Sequence, residues 1–108
     1  MKKGNLFEKQ VVEYLQQWWP DARRLGQQGR NDCGDVGGIP GIVLELKNCR
    51  TVKLAEWMGE AEREAWNAGP VDHFAVVHKR VGKSDPGEQW VTLPLRVFAD
   101  MMRDNWQR

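Results

Sequence analysis

Residues 35 to 47 constrain this chain more than any other stretch: Asp35-Val36-Gly37-Gly38-Ile39-Pro40-Gly41-Ile42-Val43-Leu44-Glu45-Leu46-Lys47. Side chains on a strand alternate between its two faces. Glu45 and Lys47 therefore share one face with Val43, while Ile42, Leu44 and Leu46 take the other and read as core. A charge buried without a partner is costly, so a bound ion or a phosphate is the natural partner for both. Gly37, Gly38, Pro40 and Gly41 favour a sharp reversal, which returns the preceding segment antiparallel to the 42–48 strand. With the hairpin centred near Pro40, Asp35 and Glu45 lie opposite each other. Two converging carboxylates make an oxygen site suited to Mg²⁺ or Mn²⁺. Lys47 beside it would orient an attacking water or stabilise developing negative charge. The same spacing also fits a surface Glu–Lys pair next to a glycine turn, which is worth little by itself.

The remaining chain reads as one α/β domain with a mixed sheet flanked by helices, in the order α-β-β-β-α-β-β-α. A helix is expected over residues 4 to 19, with Phe7, Val11, Tyr14, Leu15 and Trp18 at helical spacing and Pro20 as its stop. Glu8 falls in the adjacent row with Val12, Leu15 and Trp19, either as an edge residue of the buried stripe or as part of the site. Residues 22 to 29 form a short strand entering a Gln27-Gln28-Gly29 loop, and the hairpin follows. A second helix covers residues 54 to 68, with Leu54, Met58, Ala61 and Ala65 inward and Gly69-Pro70 ending it. Residues 74 to 77 read as a central strand buried on both faces. A strand at 89 to 93 and a last helix after Pro94, with Leu95, Phe98 and Met102 inward, complete the order. A helix between the 42–48 and 72–79 strands implies a parallel crossover.

Charge is informative through its placement, because the net value is only +1. Arg23, Arg24 and Arg30 precede the 35–47 motif; Lys47, Arg50 and Lys53 follow it; His78, Lys79, Arg80 and Lys83 form a third basic group. The acids concentrate at Glu56, Glu60, Glu62 and Glu64 along the second helix. Basic groups bracketing an acidic metal site suit a phosphodiester, whose phosphates need counter-charge on both sides of the scissile bond. Cys33 and Cys49 lack the spacing and the histidine partners of a zinc knuckle and read as plain thiols. His73 reads as structural, whereas His78 could approach phosphate. Of the six tryptophans, Trp18, Trp19, Trp57 and Trp66 lie on helices near apolar rows and read mainly as core or subunit interface. No apolar run reaches the length of a membrane span, and Met1-Lys2-Lys3-Gly4-Asn5 lacks the apolar stretch of a signal peptide, so a cytoplasmic setting is expected.

Asp35 followed by Glu45-Leu46-Lys47 resembles the signature of the PD-(D/E)XK nuclease superfamily, the restriction-endonuclease-like fold. The wider pattern is most similar to its small phage-encoded, Holliday-junction-resolvase-like members, with Gly34 where a proline often precedes the aspartate. The resemblance adds Glu8 on the first helix to the set Asp35, Glu45 and Lys47, and runs on through residues 57 to 62 and 77 to 80. It implies a Mg²⁺- or Mn²⁺-dependent endonuclease acting on DNA, with branched DNA in phage recombination or replication as the substrate and the host cytoplasm as the setting. Asp35, Glu45 and the Leu46 carbonyl would hold the ion; Glu8 would reach a second ion or a metal-bound water; Lys47 would position the attacking water. Arg23, Arg24, Arg30, Arg50, Lys53 and Lys79 would meet the DNA, and Glu62 could support the metal site from the second helix. One site per chain and two symmetric cuts imply a homodimer. A flap, repair or single-strand nuclease of the same fold, or a non-catalytic DNA-binding module, fits the same residues.

Overall fold

Gly38 and Gly41 sit at φ of 85° and 82°, a conformation open to glycine, and between them the chain reverses. The computed structural model describes residues 3–25, 33–69 and 71–106. The reversal joins β2 (Cys33–Gly37) to β3 (Ile42–Lys47) as an antiparallel pair. The other strands are β1 (Arg23–Arg24), β4 (His73–His78) and β5 (Trp90–Thr92); the helices are α1 (Lys3–Leu15), α2 (Leu54–Asn67) and α3 (Leu95–Trp106). Together they form a compact α/β fold, its five-stranded sheet ordered β1-β2-β3-β4-β5. Only β3 and β4 run parallel, and α2 is the crossover between them, since parallel neighbours need a long connection. No helix among the described residues is long and apolar enough to cross a membrane.

The alternation of β3 divides the core in two. Leu44 and Leu46, with Val36, Ala75 and Val77, pack against Phe7, Val11 and Val12 of α1. Val43, Phe74 and Val76 pack on the other side against Trp57, Ala61 and Ala65 of α2 and Val97 of α3. β4 is buried from Phe74 to His78, as a central strand covered on both faces should be. The buried alanines of α2 let its backbone lie close to the sheet.

Several expectations about the helices are corrected. α1 ends at Leu15 rather than 19, because Trp18 and Trp19 already turn back to the Leu15 carbonyl ahead of Pro20, which disfavours helix in the residue before it. In α3, Leu95, Phe98 and Met102 point outward and Val97 and Met101 point inward. The His73 Nε2–Asp100 Oδ2 contact of 2.8 Å holds the helix in that rotation. In α2, Trp57 rather than Leu54 leads the buried row. Trp57 is 3% exposed, but Trp18 and Trp19 are exposed and Trp66 is 83% exposed, so most of these helix tryptophans are not core. The 27–29 loop, Arg30 and Pro70 lie outside the described residues.

Candidate metal and phosphate site

The β2–β3 register pairs Asp35 directly with Glu45, two positions from the Cys33–Lys47 pair. Positions paired across a sheet share a face, so Asp35, Glu45 and Lys47 all project toward α2. Glu45 is 5% exposed and Lys47 3%. From above, α2 brings down one stripe made of Trp57, Glu60, Ala61, Glu64 and Ala65, positions three and four apart. Glu60 Oε2 lies 2.5 Å from Lys47 Nζ. Glu64 stands near enough to Asp35 to act on its carboxyl. From the other helix, Glu8 is 1% exposed and its Oε1 meets Arg24 Nη2 at 2.9 Å. It stands near enough to Asp35 to act on it electrostatically.

This crowding sets the electrostatics. Burial first, then the charge of Glu64, raise the Asp35 carboxyl to about 6. Burial raises Glu45 to about 8; Lys47 opposes that shift, while Asp35, Glu60 and Glu64 add to it. Glu45 makes no hydrogen bond or ion pair among the described residues. A buried carboxyl left in this state, among others that accept but cannot donate once ionised, matches an all-oxygen donor set for a hard divalent cation. Asp35, Glu45 and the Leu46 carbonyl are the groups that fit it, with Glu8 beside them.

Of the basic residues singled out in the sequence, Arg24 is engaged by Glu8, and Arg23 lies on the exposed side of β1 with Nη1 3.4 Å from the Asp21 carbonyl. Lys53 is exposed. Arg50 and Lys79 come together, with Phe7, Gln10, Asn48 and Val81, around a cavity of about 540 Å³ at the carboxyl ends of β3 and β4. Lys79 donates there to the Arg80 and Lys83 carbonyls. Arg80 stacks on Trp90, 4.0 Å from the ring centre. His78, in register with Lys47, is buried, bonds Thr92 Oγ1 at 2.7 Å and lies against Trp57. Burial depresses its pKa, so it serves as a neutral neighbour of Lys47.

Glu62 does not reach the site; it is exposed and pairs with Arg96 at 2.9 Å. Glu60 and Glu64 take the place sequence reasoning offered to it. The signal was present: both fall three and seven residues after Trp57, in the buried stripe, once Trp57 is recognised as its lead. Elsewhere, ligand atoms of His73, Asp100 and Asp104 lie within 4.8 Å of one another, but Arg103 pairs with both aspartates and makes the group an ion-pair network. No protein-family model, curated protein or solved structure matches the chain.

Proposed function

We propose that this protein is a Mg²⁺- or Mn²⁺-dependent endonuclease of the PD-(D/E)XK, restriction-endonuclease-like class that hydrolyses phosphodiester bonds in DNA. The observation that carries the reading is the Asp35–Glu45 pair in register on one buried face, with Lys47 two residues on. Such an ion polarises a phosphoryl oxygen and lowers the pKa of water. Asp35, Glu45 and the Leu46 carbonyl would bind it, with Glu8 at its margin. Lys47 would hold the attacking water or a phosphate oxygen, leaving Glu60 to do so. Arg50 and Lys79 offer counter-charge to the flanking strand. Branched DNA is the substrate we favour, cut in the host cytoplasm during phage recombination or replication. One site per chain then requires a two-fold homodimer.

The test is cleavage of a labelled four-way junction beside duplex, flap and single-stranded DNA, with Mg²⁺ or with EDTA. Paired symmetric nicks that need the metal, lost in Asp35→Ala and Glu45→Ala, are the expected result. Cutting confined to another substrate would remove the junction from the reading, and binding without cutting anywhere would leave a non-catalytic DNA-binding module.

A further inference from the structure

We propose that the cavity at the carboxyl ends of β3 and β4 binds one unpaired nucleotide, its base between Phe7 and Val81 and its phosphate against Arg50 and Lys79. The inference rests on the DNA-cleaving reading above only for the source of that nucleotide, since neither the metal nor its carboxylates enter it.

Three observations carry it. The first is size and place. The cavity holds about 540 Å³, within the range of about 300–1,000 Å³ that small-ligand sites occupy. In open α/β sheets ligands settle beyond the carboxyl ends of the strands. Phe7 belongs to the core on the α1 side, so the cavity opens on the face of the sheet away from Lys47.

The second is the lining. Leu6, Phe7 and Val81 supply apolar walls and Arg50 and Lys79 two cations, and no carboxylate takes part among the described residues. Lys79 donates to the Arg80 and Lys83 carbonyls, which leaves one of its three protons for a ligand. Val81 is fully exposed, yet its turn is braced. Gln89 accepts from the Arg80 amide at 2.6 Å and donates to the Lys83 and Asp85 carbonyls at 3.0 and 3.1 Å. An apolar side chain held out on a braced turn is already organised for a ligand.

The third is Asn48. It is 7% exposed, lines the cavity, and its side chain makes no hydrogen bond among the described residues. Buried amides normally have partners. A bare anion only accepts, whereas an amide offers a donor and an acceptor together. Its complement is the edge of a nucleobase, which presents both side by side. Gln10 brings a second amide to the same cavity.

The experiment is nitrogen-15 NMR of the full chain in EDTA, following the side-chain amides of Asn48 and Gln10. The ligands are dAMP, deoxyribose 5-phosphate and inorganic phosphate, then a duplex with one unpaired adenine and its fully paired counterpart. dAMP should move both amides, and deoxyribose 5-phosphate should bind roughly tenfold more weakly for want of the base. A response to dAMP alone would keep the site and make a free nucleotide its ligand; a response to the unpaired adenine would assign it to a DNA strand. Asn48→Ala should weaken dAMP binding roughly tenfold. Val81→Ser, at an exposed position where folding is not at stake, should weaken it roughly threefold. Leu95→Ala, on the exposed face of α3, should stay within about twofold of wild type. Inorganic phosphate binding as well as dAMP would reduce the cavity to an anion patch and overturn the proposal. Amides unmoved by every ligand would overturn it too and, where Mg²⁺ still supports DNA cleavage, leave the nuclease standing. Nucleotide binding here in a protein that cuts no DNA would keep the site and remove the nuclease.

Discussion

At Glu45 the needs of folding and of chemistry pull apart. Burial lifts its carboxyl from the ordinary value of 4.5 to about 8, with Lys47 only partly offsetting the shift. A carboxyl raised in the folded state favours that state while it is protonated. Its contribution is therefore complete below about pH 4.5 and is lost as pH rises toward 8. Gln cannot ionise, so Glu45→Gln should match wild type at pH 4 and exceed it at pH 8.5 in EDTA. The expected gain is several kcal/mol, with the full shift setting an upper limit of about 5 kcal/mol, while cleavage is lost. Thermal melts at the two pH values check this. A wild type still the more stable at pH 8.5 would mean that the ionised Glu45 is held by a favourable ion pair.

The hairpin is the element on which everything at the site depends, and its two left-handed glycines are not equivalent. A Cβ at Gly38 would fall 2.0 Å from the Asp21 carbonyl oxygen, whereas one at Gly41 would meet nothing within 4 Å. Gly41→Ala should cost only the backbone strain, about 1 kcal/mol. Gly38→Ala carries the clash as well and should cost more than about 2 kcal/mol and shift the Asp35–Glu45 register. Urea titration separates the two, and equal losses would mean that the turn does not lean on residue 21. The hairpin was legible in the sequence because its signals are local: glycines, a proline and strict alternation within a dozen residues. The rotation of the helices was not. α3 carries two apolar rows, Leu95/Phe98/Met102 and Val97/Met101, and periodicity cannot choose between them. The choice is made across the fold, by Phe74 and by the His73–Asp100 contact. The same ambiguity in α2 hid Glu60 and Glu64, because a stripe led by Leu54 and Met58 leaves them at its margin, while a stripe led by Trp57 places both over the sheet.

For the molecule as a whole, the raised carboxyls make stability, pH and metal one linked property. Asp35 at about 6 and Glu45 at about 8 both favour the folded state when protonated, so the metal-free protein should lose stability as pH rises from about 4 to 8. Asp100 acts in the opposite sense: the His73 hydrogen bond lowers its pKa, so its share is lost as pH falls. A cation that needs ionised ligands should reverse the first trend. Added Mg²⁺ is therefore expected to raise Tm more at pH 8 than at pH 5, and an equal rise at both would argue for binding elsewhere. The sheet has a further consequence, which lies in time rather than in space. Its strands stand side by side in the order in which they are made, so each pairs with the strand before it, and the longest wait is that of β4 for the α2 crossover. Residues 33 to 78 hold the hairpin, the crossover helix and β4, and with them Asp35, Glu45, Lys47, Glu60 and Glu64. Pulse-labelled refolding should accordingly protect the amides of β3 and β4 before those of α3; protection of α3 first would contradict this order. The acidic cluster would then close early, and α3 would dock afterwards against Phe74 and Val76 of β4.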